Sequence, residues 1–393
     1  MSRTAAGHRR TGNPWKSRFV RASLLTDPRY VLWRLRRRLA RGRGQPVPMP
    51  GPTMHPRVRA RASDELAQLD VDLVYTWVHG QDPSHRELRN TWARRYGLDP
   101  VVFNPDVRYV EHDELRYSLR SVERFAPWVR KIYIVTPGQT PGWLNASHPR
   151  ITVVHQDSIM ADPAWAPVFN SLAIEAQLHR IPGLAEHFIY CNDDMFLGQR
   201  CHKSDFFAVL RGSRARRVGM KVMLSERDDD WIVPWQSVSH DRLARLWMAQ
   251  WNNVKFALEL RRPWRKVRKL TNHQAQSMTR SALRHASERL RRDWERTCTS
   301  KFRGPDDLEF LAVARYLSLA NGSAVRGFLP HEVFASERAL IAHDRPSLPA
   351  LFCVNDGAGE ADEHHVRELE RLFPEPSTFE RTRPAQGLAT AAR

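Results

Sequence analysis

Two features of this sequence predict an α/β fold built on a mainly parallel sheet. Short apolar strand patterns alternate with amphipathic helical ones, as in consecutive βαβ units. Acidic and amide residues also collect directly after several strands, the edge at which open α/β sheets bind ligands. The chain has 393 residues and is 41% hydrophobic, enough for a sizeable core in one domain or two.

Residues 1–65 stand apart as a basic, flexible arm. Over residues 1–62 sixteen Lys/Arg face one acid, Asp27, so the arm holds most of the chain's formal +19. The rest carries too little charge for a basic groove, which argues against nucleic acid as a partner. Within the arm, Arg29 to Arg41 suits a basic amphipathic helix with Val31, Leu32, Leu35 and Leu39 on one side. Such a helix lies on anionic lipid; the alternative is a disordered, solubilising tail. Residues 42–56 form a linker rich in proline and glycine. No apolar run approaches the ~18 residues of a membrane span, and no export signal is recognisable. Cys191, Cys201, Cys298 and Cys353 show no C-x-x-C pair and read as reduced thiols of a cytoplasmic protein.

The first strand pattern runs from Asp72 to Val78, and His79-Gly-Gln-Asp-Pro83 turns the chain after it. Tyr75 and Trp77 are either core aromatics or a platform for a nucleotide base. Asp82 is either a turn residue or a ligand to ribose or metal. Asp113 to Phe125 is amphipathic, with Leu115, Leu119 and Val122 facing the core. Arg116 and Arg120 fall on the other side, where arginines are solvated or, for Arg120, bind phosphate. Strands follow at Lys131 to Thr136 and Ile151 to Val154.

The densest chemistry lies between Phe169 and Phe196. Asn170 is a good N-cap, and Ser171, Glu175 and His179 are spaced to share one helical stripe. Phe188 to Tyr190 is a short buried strand ending in Asn192-Asp193-Asp194. Adjacent carboxylates at a strand's carboxyl end are costly without a cation, so Asp193 and Asp194 are candidate ligands for a hard divalent ion holding a diphosphate. The alternative is an ordinary turn.

After Phe207 the periodicity weakens, and about 208–265 reads as an insertion or lid. His273 sits in a loop leading to a helix from Arg280 to about Trp294, striped by Leu283, Leu290 and Trp294. Arg303 precedes a helix capped by Asp306 or Asp307 and closed near Asn321-Gly322; it either makes an anion site or pairs with the capping acid. A strand at Leu351 to Val354 leads to a turn, a helix spans Glu363 to Phe373, and 381–393 reads as a disordered tail.

Taken together these pieces resemble the Stealth family of sugar-phosphate transferases, which has four ordered sequence blocks. The first is similar to Asp72-Leu-Val-Tyr-Thr-Trp-Val-His-Gly-Gln-Asp82. The second corresponds to Glu114 to Val122, Ala126-Pro-Trp128, Ile134-Val-Thr136, Pro141 to Leu144, and Phe169-Asn-Ser171 through Asn192-Asp-Asp194. The third takes in His273, Arg280, Phe302-Arg303 and Asp307, with Ala275 where the family carries proline. The fourth is Cys353-Val-Asn-Asp-Gly357.

The resemblance implies a GT-A-like α/β domain over residues 66–380, with helical additions in its C-terminal half. It implies transfer of a sugar-1-phosphate from a UDP-sugar to a glycan hydroxyl, with release of UMP, in surface polysaccharide synthesis. Asp194, His273 and Arg303 would be catalytic, and Asp193 and Asp194 would hold Mg²⁺ or Mn²⁺. Tyr75, Trp77, Asp82, Arg120, Asn170 and Asn192 would bind substrate. The rivals are a GT-A-type glycosyltransferase releasing UDP and a non-catalytic polyanion or membrane-surface binder led by the arm. The expected location is cytoplasmic, peripheral at the inner face of the membrane.

Overall fold

The computed structural model describes residues 64–98, 113–210, 217–223, 231–232, 267–268, 273–334, 340, 348–354 and 364–381. The basic helix expected at 29–41, its linker, most of 208–265 and the 355–357 turn lie outside them. Five strands make the main sheet: β1 Val71–Thr76, β2 Ile132–Thr136, β3 Ile151–His155, β4 His187–Asn192 and β10 Gln276–Thr279. Their order is β10-β4-β1-β2-β3, the first four in chain order parallel and β10 antiparallel to β4. The mainly parallel α/β sheet is therefore as the sequence predicts. β1 and β2 are buried along nearly their whole length, which is why both read as unbroken apolar runs.

Two smaller sheets extend this frame. β5 Met195–Leu197 pairs with β13 Leu351–Val354, which also pairs with β12 His331–Phe334. β6 Phe207–Leu210, β7 Arg217–Met223 and β11 Ala324–Gly327 form the other. β8 Trp231–Ile232 and β9 Val267–Arg268 make a short antiparallel ladder. The helices are α1 Pro83–Arg95, α2 Glu114–Phe125, α3 Ser171–Glu175, α4 Lys203–Phe206, α5 Arg280–Arg289, α6 Arg291–Thr299, α7 Phe310–Asn321 and α8 His364–Leu372. Phe310 to Ala314 are buried without a break, so α7 runs through the core.

Several local expectations change. The helix begun at Asn170 ends at Glu175, and His179 belongs to a separate 3-10 turn, Leu178–Arg180. Gln177 separates the two, accepting from Ala161 N (2.7 Å) and donating to Ala173 O (3.1 Å). The helix expected from Arg280 to Trp294 divides at Leu290, whose φ of −117° and ψ of 45° leave helical space. Trp294 then reaches Ala176 O with its indole N–H at 3.0 Å. α7 starts from Glu309 rather than an aspartate, and Gly322 closes it in the left-handed conformation at φ 80°.

The arginines on the polar side of α2 include a pair held by a distant acid. Glu380 accepts from Arg116 Nε (2.6 Å), Arg120 Nε (2.7 Å) and Arg120 Nη2 (2.8 Å), while Arg120 Nη1 donates to Phe373 O (2.7 Å). Arg120 is consequently only 7% exposed. Helical periodicity reveals which face of α2 is apolar, but not that a segment 260 residues away covers the other. Phe379 is fully buried beside the clasp, under Arg150 and His148.

Burial pushes the Glu380 carboxyl up, but its bonds from Arg120, the Ser377 backbone and Arg116 outweigh that and hold it at about 2. Its stabilisation is therefore complete above the ordinary carboxylate range and is lost as pH falls toward 2. Glu380→Gln should lower stability by about 3 kcal/mol at pH 7. Its melting temperature should converge on wild type as pH drops from 5 to 2.5, measured by circular dichroism.

Candidate active site

β4 and β5 are joined by a tight turn that displays Asn192, Asp193 and Asp194 at the carboxyl end of β4. β4 lies next to β1, with Asn192 in register with Thr76, while β2 lies on the other side of β1. The chain reverses its winding there, and at such a switch point parallel strands leave a crevice. The Asn-Asp-Asp stretch therefore forms a turn at the end of β4.

Two other elements deliver side chains to the turn. β10 runs antiparallel along β4, pairing Gln276 with Tyr190, so the residues before it reach the carboxyl end of β4. His273 is among them, held at φ 50°, a conformation that costs a non-glycine residue about 1 kcal/mol or more. β13 pairs antiparallel with β5, Cys353 opposite Met195, and Val354 N donates to Asp194 O at 3.2 Å. Cys353 Sγ then donates to Asp194 Oδ2 at 3.2 Å. Ligand atoms of Asp194, His273 and Cys353 all lie within 4.8 Å of one another.

The Asp194 carboxyl is driven above the usual carboxylate range by burial, an effect the Cys353 thiol and His273 only partly offset. Its Oδ1 is buried without a hydrogen-bond partner. Burial also keeps Cys353 a thiol, with the Asp194 charge acting the same way. A protonated sulfur is a poor ligand, whereas an unpartnered carboxylate oxygen beside Asp193 suits a hard cation completed by other oxygens. The donor set at this turn thus fits a divalent ion.

A second group of residues gathers around Arg303. Phe169 N donates to Lys301 O (2.8 Å), and Asn170 Nδ2 to Asp307 Oδ2 (2.8 Å), zipping the segment before α3 to the one before α7. Asp307 closes its own loop through Gly304 N at 2.7 Å instead of capping the helix. Arg303 Nη2 donates to Ser171 Oγ. Its charge also acts on Glu175 and Glu309, and burial pushes Glu309 up to about 7 despite its ion pair with Arg315 at 3.5 Å. Asn170 is 1% exposed and holds this junction as the N-cap of α3, donating to Asp307 while its Oδ1 receives Leu172 N.

The remaining candidates divide. Tyr75 is fully buried, its hydroxyl paired with Ser118 Oγ at 2.7 Å, so it packs the core beneath the crevice. Trp77 is 5% exposed and parallel to the His79 ring, and its indole N–H has no partner. Asp82 caps α1 through Ser84 N (2.8 Å) and His85 N (3.2 Å) and accepts from Gln139 (3.0 Å). Arg120 has its guanidinium in the Glu380 clasp, away from the turn. Sequence reasoning gave no role to Cys353 beyond a reduced thiol, and none to Tyr190, because neither carries a signal until β13 and β4 are paired.

This sheet and turn define a class: α/β proteins with acidic side chains gathered at the carboxyl ends of parallel strands. Residues 108–215 match Stealth protein CR2, conserved region 2. It is 36% identical over 337 residues to an exopolysaccharide phosphotransferase of Streptomyces coelicolor, covering 82% of this chain and 54% of that one. It is 32% identical over 343 residues to the exopolysaccharide phosphotransferase CpsY of Mycobacterium tuberculosis, covering 84% and 61%. The chain thus spans between half and two-thirds of the length of these relatives. It is also similar to the solved galactosyltransferase LgtC in complex with donor and acceptor sugar analogues, at 10% identity and TM-score 0.37, covering 80% of this chain and 98% of that one. Mouse xyloside xylosyltransferase 1 gives 11%, 0.35, 73% and 98%.

Asp194→Asn removes a desolvated charge with an unsatisfied oxygen. In EDTA it should melt no lower than wild type, and about 1 kcal/mol of added stability is expected. Divalent cation should raise the melting temperature of wild type but not of the variant, in a fluorimetric thermal shift series.

Proposed function

We propose that this chain is a sugar-1-phosphate transferase acting on a UDP-sugar and a glycan hydroxyl in exopolysaccharide synthesis. The observation that carries this is the convergence of Asp194 and His273 at the strand-end turn, with Arg303 bonded to Ser171 at the start of α3. The names of its relatives support the same chemistry. Asp193 and Asp194 would hold Mg²⁺ or Mn²⁺, which when bound supplies positive charge to neutralise the donor diphosphate.

The chain's own residues do the rest. The Trp77 indole N–H, buried without a partner, suits an acceptor atom of the nucleotide sugar, and Asn192 offers an amide beside it. Arg303 presents a planar guanidinium that grips two phosphate oxygens, a geometry lysine lacks. His273 accepts the acceptor hydroxyl's proton as its oxygen attacks the phosphorus nearest the donor sugar. The bond from that phosphorus to the bridging oxygen breaks, and UMP leaves. Such a transition state gathers charge, so positioning and neutralisation supply most of the acceleration. The basic arm would keep the enzyme against an anionic membrane surface; among the described residues no helix is long and apolar enough to cross one.

Incubation with a panel of UDP-sugars and Mg²⁺, followed by chromatography of the nucleotide, should yield UMP. Release of UDP instead would convert the reading to glycosyl transfer, and loss of all turnover on deleting residues 1–65 would favour a binder led by the arm. His273→Ala and Arg303→Ala should each slow UMP release at least ~10²-fold in a folded protein. Native rates in either variant would remove that residue from the chemistry.

A further inference from the structure

Arg303 is tied to the sheet by a run of polar side chains. Its Nη2 donates to Ser171 Oγ, and Ser171 stands one turn before Glu175 on α3, where its hydroxyl and the Arg303 charge both act to lower the buried Glu175 carboxyl. Glu175 Oε1 accepts from Tyr190 OH at 3.1 Å, and the same phenol oxygen meets Thr76 Oγ1 at 2.9 Å. Thr76 ends β1, and Tyr190 stands in β4 shortly before Asn192. Glu175 and Tyr190 are 9% and 2% exposed, so the path runs beneath the crevice, not across it.

Ser171 accepts from the guanidinium on one side of Glu175, while Tyr190 gives its proton to the carboxylate from the other. A carboxylate so buried is costly unless charge-assisted bonds and nearby cations offset it, and here the positive charges are Arg303 and Arg315. A five-residue helix gains little from burying such a group for its own sake.

We propose that Glu175 is the positioning residue of the site, fixing the direction of the Arg303 guanidinium through Ser171 and referring it, through Tyr190, to the strand ends that carry Asp193 and Asp194. What Arg303 does once held rests on the phosphotransfer reading; how it is held does not. In this proposal Glu175 acts on the reaction through the side chains it holds, Arg303 foremost.

The test is a double-mutant cycle on UMP release, with thermal melts as a folding control. Ser171→Ala and Glu175→Gln should each lower kcat about tenfold or more while donor KM moves less than about threefold. Ser171→Thr, which keeps the hydroxyl, should recover most of the Ser171→Ala loss. In an Arg303→Ala background, adding Glu175→Gln should change the residual rate by less than about twofold, since the group it positions is gone. Equal losses with and without Arg303, or a native rate in Ser171→Ala, would overturn the coupling. Native turnover in Arg303→Ala itself would instead overturn the clamp, a separate result. Should Glu175→Gln fail to fold, the alanine–threonine contrast at Ser171, repeated in the Arg303→Ala background, decides the matter.

Discussion

A carboxylate taken out of water must find donors or cations to replace its hydration, and this chain buries two of them behind one sheet edge. Asp194 is answered by a thiol on Oδ2, with the His273 imidazole nearby, while its Oδ1 has no hydrogen-bond partner. Glu175 is answered by a phenol, a hydroxyl and two guanidinium groups nearby. The first arrangement leaves an electrostatic demand that a bound cation satisfies; the second is already complete and holds its neighbours still. The two roles follow from how each charge is compensated, although both residues sit close to β4.

That compensation depends on elements arriving from far along the chain. β10 returns antiparallel beside β4 and brings His273, and β13 pairs with β5 and brings Cys353. The segments around Asn170 and Asp307 are laced by backbone and side-chain bonds and bring Arg303 over α3. Most of the parallel sheet is built from the N-terminal half, while three of the groups at the site come from the C-terminal half. The α/β frame supplies the edge, and the later elements furnish it.

Much of this was legible in the sequence. Strand and helix patterns give the parallel sheet, and the Asn-Asp-Asp run at the end of an apolar strand marks the edge where chemistry gathers. What could not be read were the partners. Gln276 to Thr279 is too short and too polar to announce a strand, so His273 reads as a loop residue until β10 is paired. Arg120 lies on the polar face of an amphipathic helix, a position that looks solvated or ligand-facing until Glu380 is seen upon it. Tyr75 looks like a stacking platform, yet the parallel neighbours of β1 enclose it. In each case the deciding contact is distant in sequence, and local periodicity carries no information about it.

The clasp between Glu380 and the α2 arginines also bears on how the chain is made. Arg120 leaves the ribosome 260 residues before its counter-ion does, so the helix is synthesised before the carboxylate that clasps its arginines. Contacts this remote close slowly, because a long loop must be ordered before they form. The sheet can therefore assemble early while one flank stays open, vulnerable to proteases and to chaperone capture, until the segment around Glu380 returns and covers it.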